Sequence, residues 1–340
     1  MEVEVPHRVP IIQGSYYHDI LDQPTALAAT LANLEASPAL VAMLQAGPFK
    51  QVVLTGMGSS HHVLQPLHLQ LAGRGIASTL METSELIHYG KGLLEPGTLV
   101  VAVSQSGSSA ETLRLLDLNR GAVILGVTNT AGSPLAIRSA AHILTMAGAE
   151  RTVSCKTYVA ALVALRWLGD LLCGVDPTAT LQELAQAPIL VETFLSDLEG
   201  KVKLLTQDLD GIRSLFLVGR GTSLASTGTG ALIIKEAAHF HAEGMSSAAF
   251  RHGPMEMIHP EMFVLVFAGH PATRSLNERL LAEILTHGGK GALCNPPPLP
   301  ESLRPLMEIL HVQAITLALA ALKGKEAGAF RWATKITTTE

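Results

Sequence analysis

The sequence predicts an α/β protein built from two tandem copies of one unit, each a doubly wound parallel sheet flanked by helices. Three observations predict it. Short, purely apolar runs alternate with helix-length segments, the pattern of strands covered on both faces. The stretch VVLTGMGSS (52–60) returns as LFLVGRGTS (215–223), so that Gly56 answers to Gly219 and Gly58 to Gly221, an offset of 163. The same offset pairs LIHYG (86–90) with AFRHG (249–253), and TLVVAVSQSG (98–107) with EMFVLVFAGH (261–270). Three matches at one spacing identify an internal duplication.

Taken in order, residues 1–45 form an N-terminal helical segment. The first domain covers 46–180. Its run 52–55 is a strand ending in glycine, 61–71 is helix-like, 98–103 is a second strand, 110–119 a helix and 123–128 a third strand. The copies join near VDPTATLQELAQAP (175–188). The second domain, 181–330, has strands at 215–218 and 263–267 and helices at 223–238 and 274–287, and 331–340 is a C-terminal tail. In such sheets ligands sit at the carboxyl ends of strands, where helices begin. Both glycine pairs and SQSGSSAET (104–112) fall at that edge.

Composition excludes several classes of function. The net charge of −5 argues against a nucleic-acid surface, which needs a basic face. Cys155, Cys173 and Cys294 match no metal spacing, and their odd number does not suit a disulfide framework, so a reducing cytoplasm is expected. The opening MEVEVPHRVP is acidic and proline-bearing, unlike a signal peptide. The most apolar stretches, 158–173 and 305–322, contain Arg166, Asp170, Glu308, His311 and Gln313, and read as buried core helices rather than membrane spans. GMGSSH and GRGTSL lack the third glycine of a dinucleotide fingerprint, and no P-loop lysine follows. No cofactor or metal is expected.

Two stretches carry chemistry. SQSGSSAET follows an apolar strand and opens a helix. Its hydroxyls could serve as a capped loop alone, but Ser104, Ser106, Ser108, Ser109 and Thr112 exceed what one cap needs. Hydroxyls, free amides and the helix dipole together can hold a phosphomonoester. The second stretch is KEAAHFHAEGMSSAAFRHGP (235–254). Glu236 lies late in a helix among alanines and isoleucines, where burial raises a carboxyl pKa and suits it to proton transfer; the alternative is a helix-end salt bridge with Lys235. His239 and His241 have no metal spacing to Glu236. His252, in the turn RHGP, is either structural or presented at a cleft.

These residues together resemble the double-SIS, or sugar isomerase, family, and most of all the isomerase domain of glucosamine-6-phosphate synthase. HDILDQP (18–24) is similar to the family's KEIxEQP, SQSGSSAET to SQSGETxDT, VGRGTS to LGRGxxY, the stretch 235–254 to KEISYIHAEAYxxGELKHGP, and ATKITTTE (333–340) to AKSVTVE. The resemblance implies two SIS domains. It implies phosphate binding by Ser104, Gln105, Ser106 and Ser109, and a sugar site lined by Ser59, Ser60 and Ser154. It also implies Glu236 as the C1/C2 proton carrier, His252 as a ring-opening residue lent by the neighbouring subunit of a homodimer with composite sites, and Lys335 as the tail lysine that closes over the sugar. Where the family's synthases carry a lysine and a glutamate, this chain has Ile233 and Thr229, and ERTVSCKTY (150–158) is one residue shorter than its family counterpart.

The synthases carry a glutaminase domain ahead of this region; here the chain starts at the isomerase segment. The expected reaction is therefore release of ammonia: glucosamine 6-phosphate to fructose 6-phosphate by an isomerising deaminase. The alternatives are a fructosamine-type phosphosugar deglycase, another aldose–ketose isomerase, or a non-catalytic sugar-phosphate sensor.

Overall fold

A computed structural model of the chain describes residues 12–332, 334, 335, 337 and 339. Residues 1–11 of the N-terminal segment, and Ala333, Ile336, Thr338 and Glu340 of the tail, lie outside the described residues. The first sheet has five strands: β1 (Gln51–Gly56), β2 (Ser78–Glu82), β3 (Thr98–Val103), β4 (Val123–Thr128) and β5 (Ala141–Leu144), in the order β2-β1-β3-β4-β5. The second has four: β6 (Ser214–Gly219), β7 (Ala242–Ser246), β8 (Met262–Phe267) and β9 (Lys290–Cys294), in the order β7-β6-β8-β9. Every pairing is parallel.

Alternation along the strands sets the layers, because successive side chains leave opposite faces. Val52 and Leu54 of β1, Leu99 and Val101 of β3, Leu215 and Leu217 of β6, and Phe263 and Leu265 of β8 enter one core shared by both copies. Their neighbours Val53, Val100 and Ala102 form a separate core on the far side of the first sheet, and Phe216, Val218, Val264 and Val266 another on the second. The long helices Lys156–Leu172, Leu224–Ala238 and Arg304–Leu322 supply much of the shared core. Residues 301–322 are long and apolar enough to cross a membrane, but 89% of that window is buried inside the protein, as expected of a core helix.

The N-terminal helices are sewn to this core by polar groups. Asp19 and Asp22 pair with Lys156 at 3.2 and 2.6 Å. Asp19 also accepts the Arg151 N–H. Gln23 and Gln313 exchange amide hydrogen bonds of 2.9 and 3.0 Å inside the core. The stretch 175–188, where the copies are expected to join, is largely helical: residue 180 falls within the helix Thr178–Leu184, and the helices Ala187–Leu195 and Leu198–Asp208 follow.

The duplication holds with a one-residue slip. β1 and β6 stand 163 apart, but β1 pairs Gln51 with Thr98 whereas β6 pairs Ser214 with Met262. The sequence pairing of Thr98 with Glu261 is therefore corrected to Met262. Likewise the helices Thr83–Tyr89 and Ser247–Arg251 match when Leu86, not Ile87, answers to Phe250, both fully buried. The extra residue falls between β6 and β7. There the helix Leu224–Ala238 ends on His239 in the left-handed conformation, φ 48° and ψ 43°. The helix expected over 61–71 is likewise broken, into Ser59–His62 and Gln65–Gly73, with Pro66 opening the second piece.

Candidate functional site

The carboxyl end of the first sheet is a cleft floored by three strand ends. β3 runs into Ser104–Ser109 and then the helix Ala110–Leu118. The loop folds on itself: Gly107 N–H donates to the Ser104 carbonyl and hydroxyl at 3.1 and 3.2 Å, and Ser108 N–H to the Ser106 hydroxyl at 3.3 Å. Gly107 is required there. It sits at φ +62°, and a Cβ would come within 2.2 Å of the Ser133 hydroxyl oxygen. Ser109 caps the helix, accepting from Thr112 N–H at 3.4 Å. The Gln105 carbonyl accepts from Asn129 N–H and from the Thr128 and Thr130 hydroxyls, tying the loop to the end of β4.

Three hollows adjoin at this loop. One, of about 130 Å³, is lined by Ser60, Ser104, Gln105, Ser106, Ser109 and Lys335, among others. A second lies deeper and includes Ser59, Ser60, Gln105, Ser154, Thr157 and Tyr158. A third, about 430 Å³, runs past Gln105, Ser106, Asn129 and Glu150 to Lys335. The structure thus brings together Ser59, Ser60, Ser104, Gln105, Ser106, Ser109, Ser154 and Lys335. Among the described lining residues of the serine-rich hollow, Lys335 is the one cation, so the phosphate reading rests on hydroxyls, amides and this single ammonium. Ser154 lines the cleft despite the shortened segment, while the Cys155 side chain turns fully inward and burial pushes its thiol well up.

Lys335 reaches the cleft from the tail. Its Nζ donates to Glu150 Oε2 at 2.6 Å and to the Thr152 carbonyl at 2.6 Å. Thr337 reaches the end of the loop, for its carbonyl accepts the Ala110 N–H at 3.2 Å. Glu236, half-buried late in the helix Leu224–Ala238, belongs to the same electrostatic neighbourhood. Burial pushes its carboxyl above the ordinary value; Lys335 pulls it back, Glu150 pushes it further up, and Lys235 pulls it down. Ile233 and Thr229 are fully buried, within the core.

His252 is not brought to this cleft within the chain. It is exposed, just past the short helix Ser247–Arg251 of the second copy. Sequence reasoning missed Glu150, Thr157, Asn129 and Thr145 as parts of the site. Glu150 opens the segment ERTVSCKTY, yet a lone glutamate in a polar stretch carries no sign that its carboxylate is buried.

The second copy builds no equivalent loop. β8 leads into Ala268, Gly269 and His270, and the Asn277 amide donates to the Phe267 and Ala268 carbonyls. Beneath them lies Glu308, fully buried, its Oε1 accepting the Ser223 hydroxyl at 2.7 Å while Oε2 has no partner among the described residues. Burial pushes this carboxyl up to about 8, against smaller lowering effects of Ser223, Ser226 and Arg304.

The sequence profile of the SIS domain matches residues 48–169 and 209–291. The chain belongs to the SIS domain family. It is 30% identical to a glutamine–fructose-6-phosphate aminotransferase (isomerizing) of Pyrococcus horikoshii, over 96% of this chain and 59% of that protein. The chain thus spans a little under three fifths of that relative. Its fold is similar to the C-terminal domain of glucosamine-fructose-6-phosphate aminotransferase from Francisella tularensis, with a TM-score of 0.82 and 20% identity over 96% of this chain and 98% of that one. It is also similar to glucosamine-6-phosphate deaminase from Thermotoga maritima, with a TM-score of 0.80 and 18% identity over 96% and 100%. At these identities the two structures speak to the fold.

Proposed function

We propose that this chain is a phosphosugar isomerase-type enzyme, and more finely an isomerising deaminase of an amino-sugar 6-phosphate. One observation carries the reading: a hydroxyl-lined cleft with the Lys335 ammonium at its edge; it is supported by Glu236, half-buried, whose carboxyl burial pushes up and Lys335 pulls back. Ser104, Ser106 and Ser109 hold the phosphate of glucosamine 6-phosphate, and Gln105 and Lys335 close around it. His252 of a neighbouring subunit opens the ring in a composite dimer site. Glu236 takes the C2 proton of the open aldehyde and returns a proton to C1. The product is the C2 imine of fructose 6-phosphate, and water hydrolyses it to the ketone and ammonia. Positioning and general acid–base transfer, the latter contributing about 10²–10⁴, suffice for such a proton shift.

The 430 Å³ hollow beyond Gln105 and Ser106 favours a second reading, cleavage of a phosphosugar amine that bears a substituent on nitrogen. Ammonia release measured over glucosamine 6-phosphate, its epimers and N-substituted analogues tests both. Release from the free amine alone supports the first reading, and amine release from the substituted sugars alone supports the second. Binding with neither release nor C2 proton exchange would leave a sugar-phosphate sensor.

A further inference from the structure

Glu150 makes more bonds than its place in the chain explains. Its side chain is fully buried. Oε1 accepts the N–H groups of Cys155 and Thr157 at 2.8 and 3.0 Å, free donors at the start of the helix Lys156–Leu172. Oε2 accepts the Thr157 hydroxyl at 2.7 Å and the Lys335 ammonium at 2.6 Å. The amides and the hydroxyl account for a helix cap. The ammonium, 185 residues away in sequence, does not belong to one. The segment that delivers Glu150 is itself fastened: the Asn129 carboxamide oxygen accepts from the Thr145 hydroxyl and Ala147 N–H, and its nitrogen donates to the Gly148 carbonyl. Met146, between them, is held at φ 52°.

We infer that Glu150 is a positioning residue that latches Lys335 and Thr337 of the C-terminal tail over the serine-lined cleft, by gripping Lys335 with the same carboxylate that caps the helix Lys156–Leu172. The latch joins two parts of the cleft that no strand connects. When Lys335 is held, Thr337 lies against the helix start at Ala110, and Lys335 faces Ser104, Ser106 and Ser109. The catalytic consequence of the latch rests on the function proposed above; the latch itself does not.

The test uses the full chain without ligand. Arg331 is exposed, so the rate of trypsin cleavage after it reports how firmly the tail is held. Glu150→Gln keeps the volume and removes the charge. Lys335→Met removes the other partner and leaves the helix cap intact, so it decides the question if Glu150→Gln does not fold. Loss of a charge-assisted hydrogen bond in each single variant should speed tail cleavage at least about tenfold. The double variant should be no faster than either single one, and KM for the sugar phosphate should rise in all three, most where the Lys335 ammonium itself is lost. Tail cleavage at the wild-type rate in folded Lys335→Met, or additive effects in the double variant, would overturn the latch. Faster cleavage in proteins that turn over no sugar phosphate would support the latch and sink the functional reading instead.

Discussion

Glu308→Gln probes a carboxyl whose burial has a calculable effect on stability. The group is 0% exposed on the helix Arg304–Leu322, with the Ser223 hydroxyl on one oxygen and, among the described residues, no hydrogen-bond partner on the other. Its pKa rises from 4.5 to about 8, with burial as the main cause. The folded state therefore holds a proton that the unfolded state has released across that window. Stability from this group is complete below about pH 4.5, falls as pH rises towards 8, and levels off above it. Between pH 5 and pH 8 the loss integrates to roughly 3–4 kcal/mol, at about 1.4 kcal/mol per pKa unit. For a chain of this length that is roughly 5 °C in Tm. Glu308→Gln keeps the shape and cannot ionise. Its own cost at pH 5, one misplaced amide donor, is about 1–2 kcal/mol. Thermal melts of both proteins every half unit from pH 5 to 8.5 give a difference curve in which all other groups cancel. The variant should begin slightly less stable and end more stable, the lines crossing between pH 6 and 7. A flat difference curve would refute the reasoning, for it would mean that Glu308 ionises in the folded state as freely as in the unfolded one.

Changing Ser104 and Ser109 together to Ala should raise KM for the sugar phosphate at least about tenfold, the loss expected for a hydrogen bond to a charged group; saturation kinetics like the wild type's would remove the loop from the site. Glu236→Gln should fold and bind, but lose at least about 10² in turnover and in exchange of the C2 proton with deuterated solvent. Because burial raises the Glu236 pKa and the base works unprotonated, wild-type kcat/KM should fall as pH drops through a value above the ordinary carboxylate range, and that limb should be missing from any residual activity of the variant. Inactive Glu236→Gln and inactive His252→Ala proteins, mixed under conditions where subunits exchange, should recover partial activity; if none returns, His252 serves no neighbour's site.

The inner strands were legible because a strand covered on both faces must be apolar throughout: TLVVAV (98–103) is buried at every residue, and its bounds match the sequence reading. The strands that went unread are β2, β5, β7 and β9, every one a sheet edge. STLME, AHIL, AEGMS and KGALC mix polar, charged and glycine residues, because an edge strand with one partner and partial solvent cover needs no apolar run. The break after His62 went unread because 61–71 keeps helical spacing across it. The one-residue slip of the repeat went unread because the offset was set by the match of 52–60 with 215–223, which lies before it, and the two later matches were carried along at the same offset, one residue out of register.

The sequence by itself determined the duplication, the parallel α/β class and the serine loop, since each depends on residues close together in the chain: apolar runs, a strand–glycine junction, hydroxyls ahead of a helix. Tertiary structure alone decided where Lys335 lands, that Glu150 is buried beneath it, and that Glu308 is a buried acid beneath the second sheet's strand ends. Those facts depend on contacts between residues as far as 185 positions apart. A carboxylate or an ammonium has the same letter in the sequence whether water or another chain segment surrounds it, and only the folded packing fixes the dielectric and the partner that give it a role.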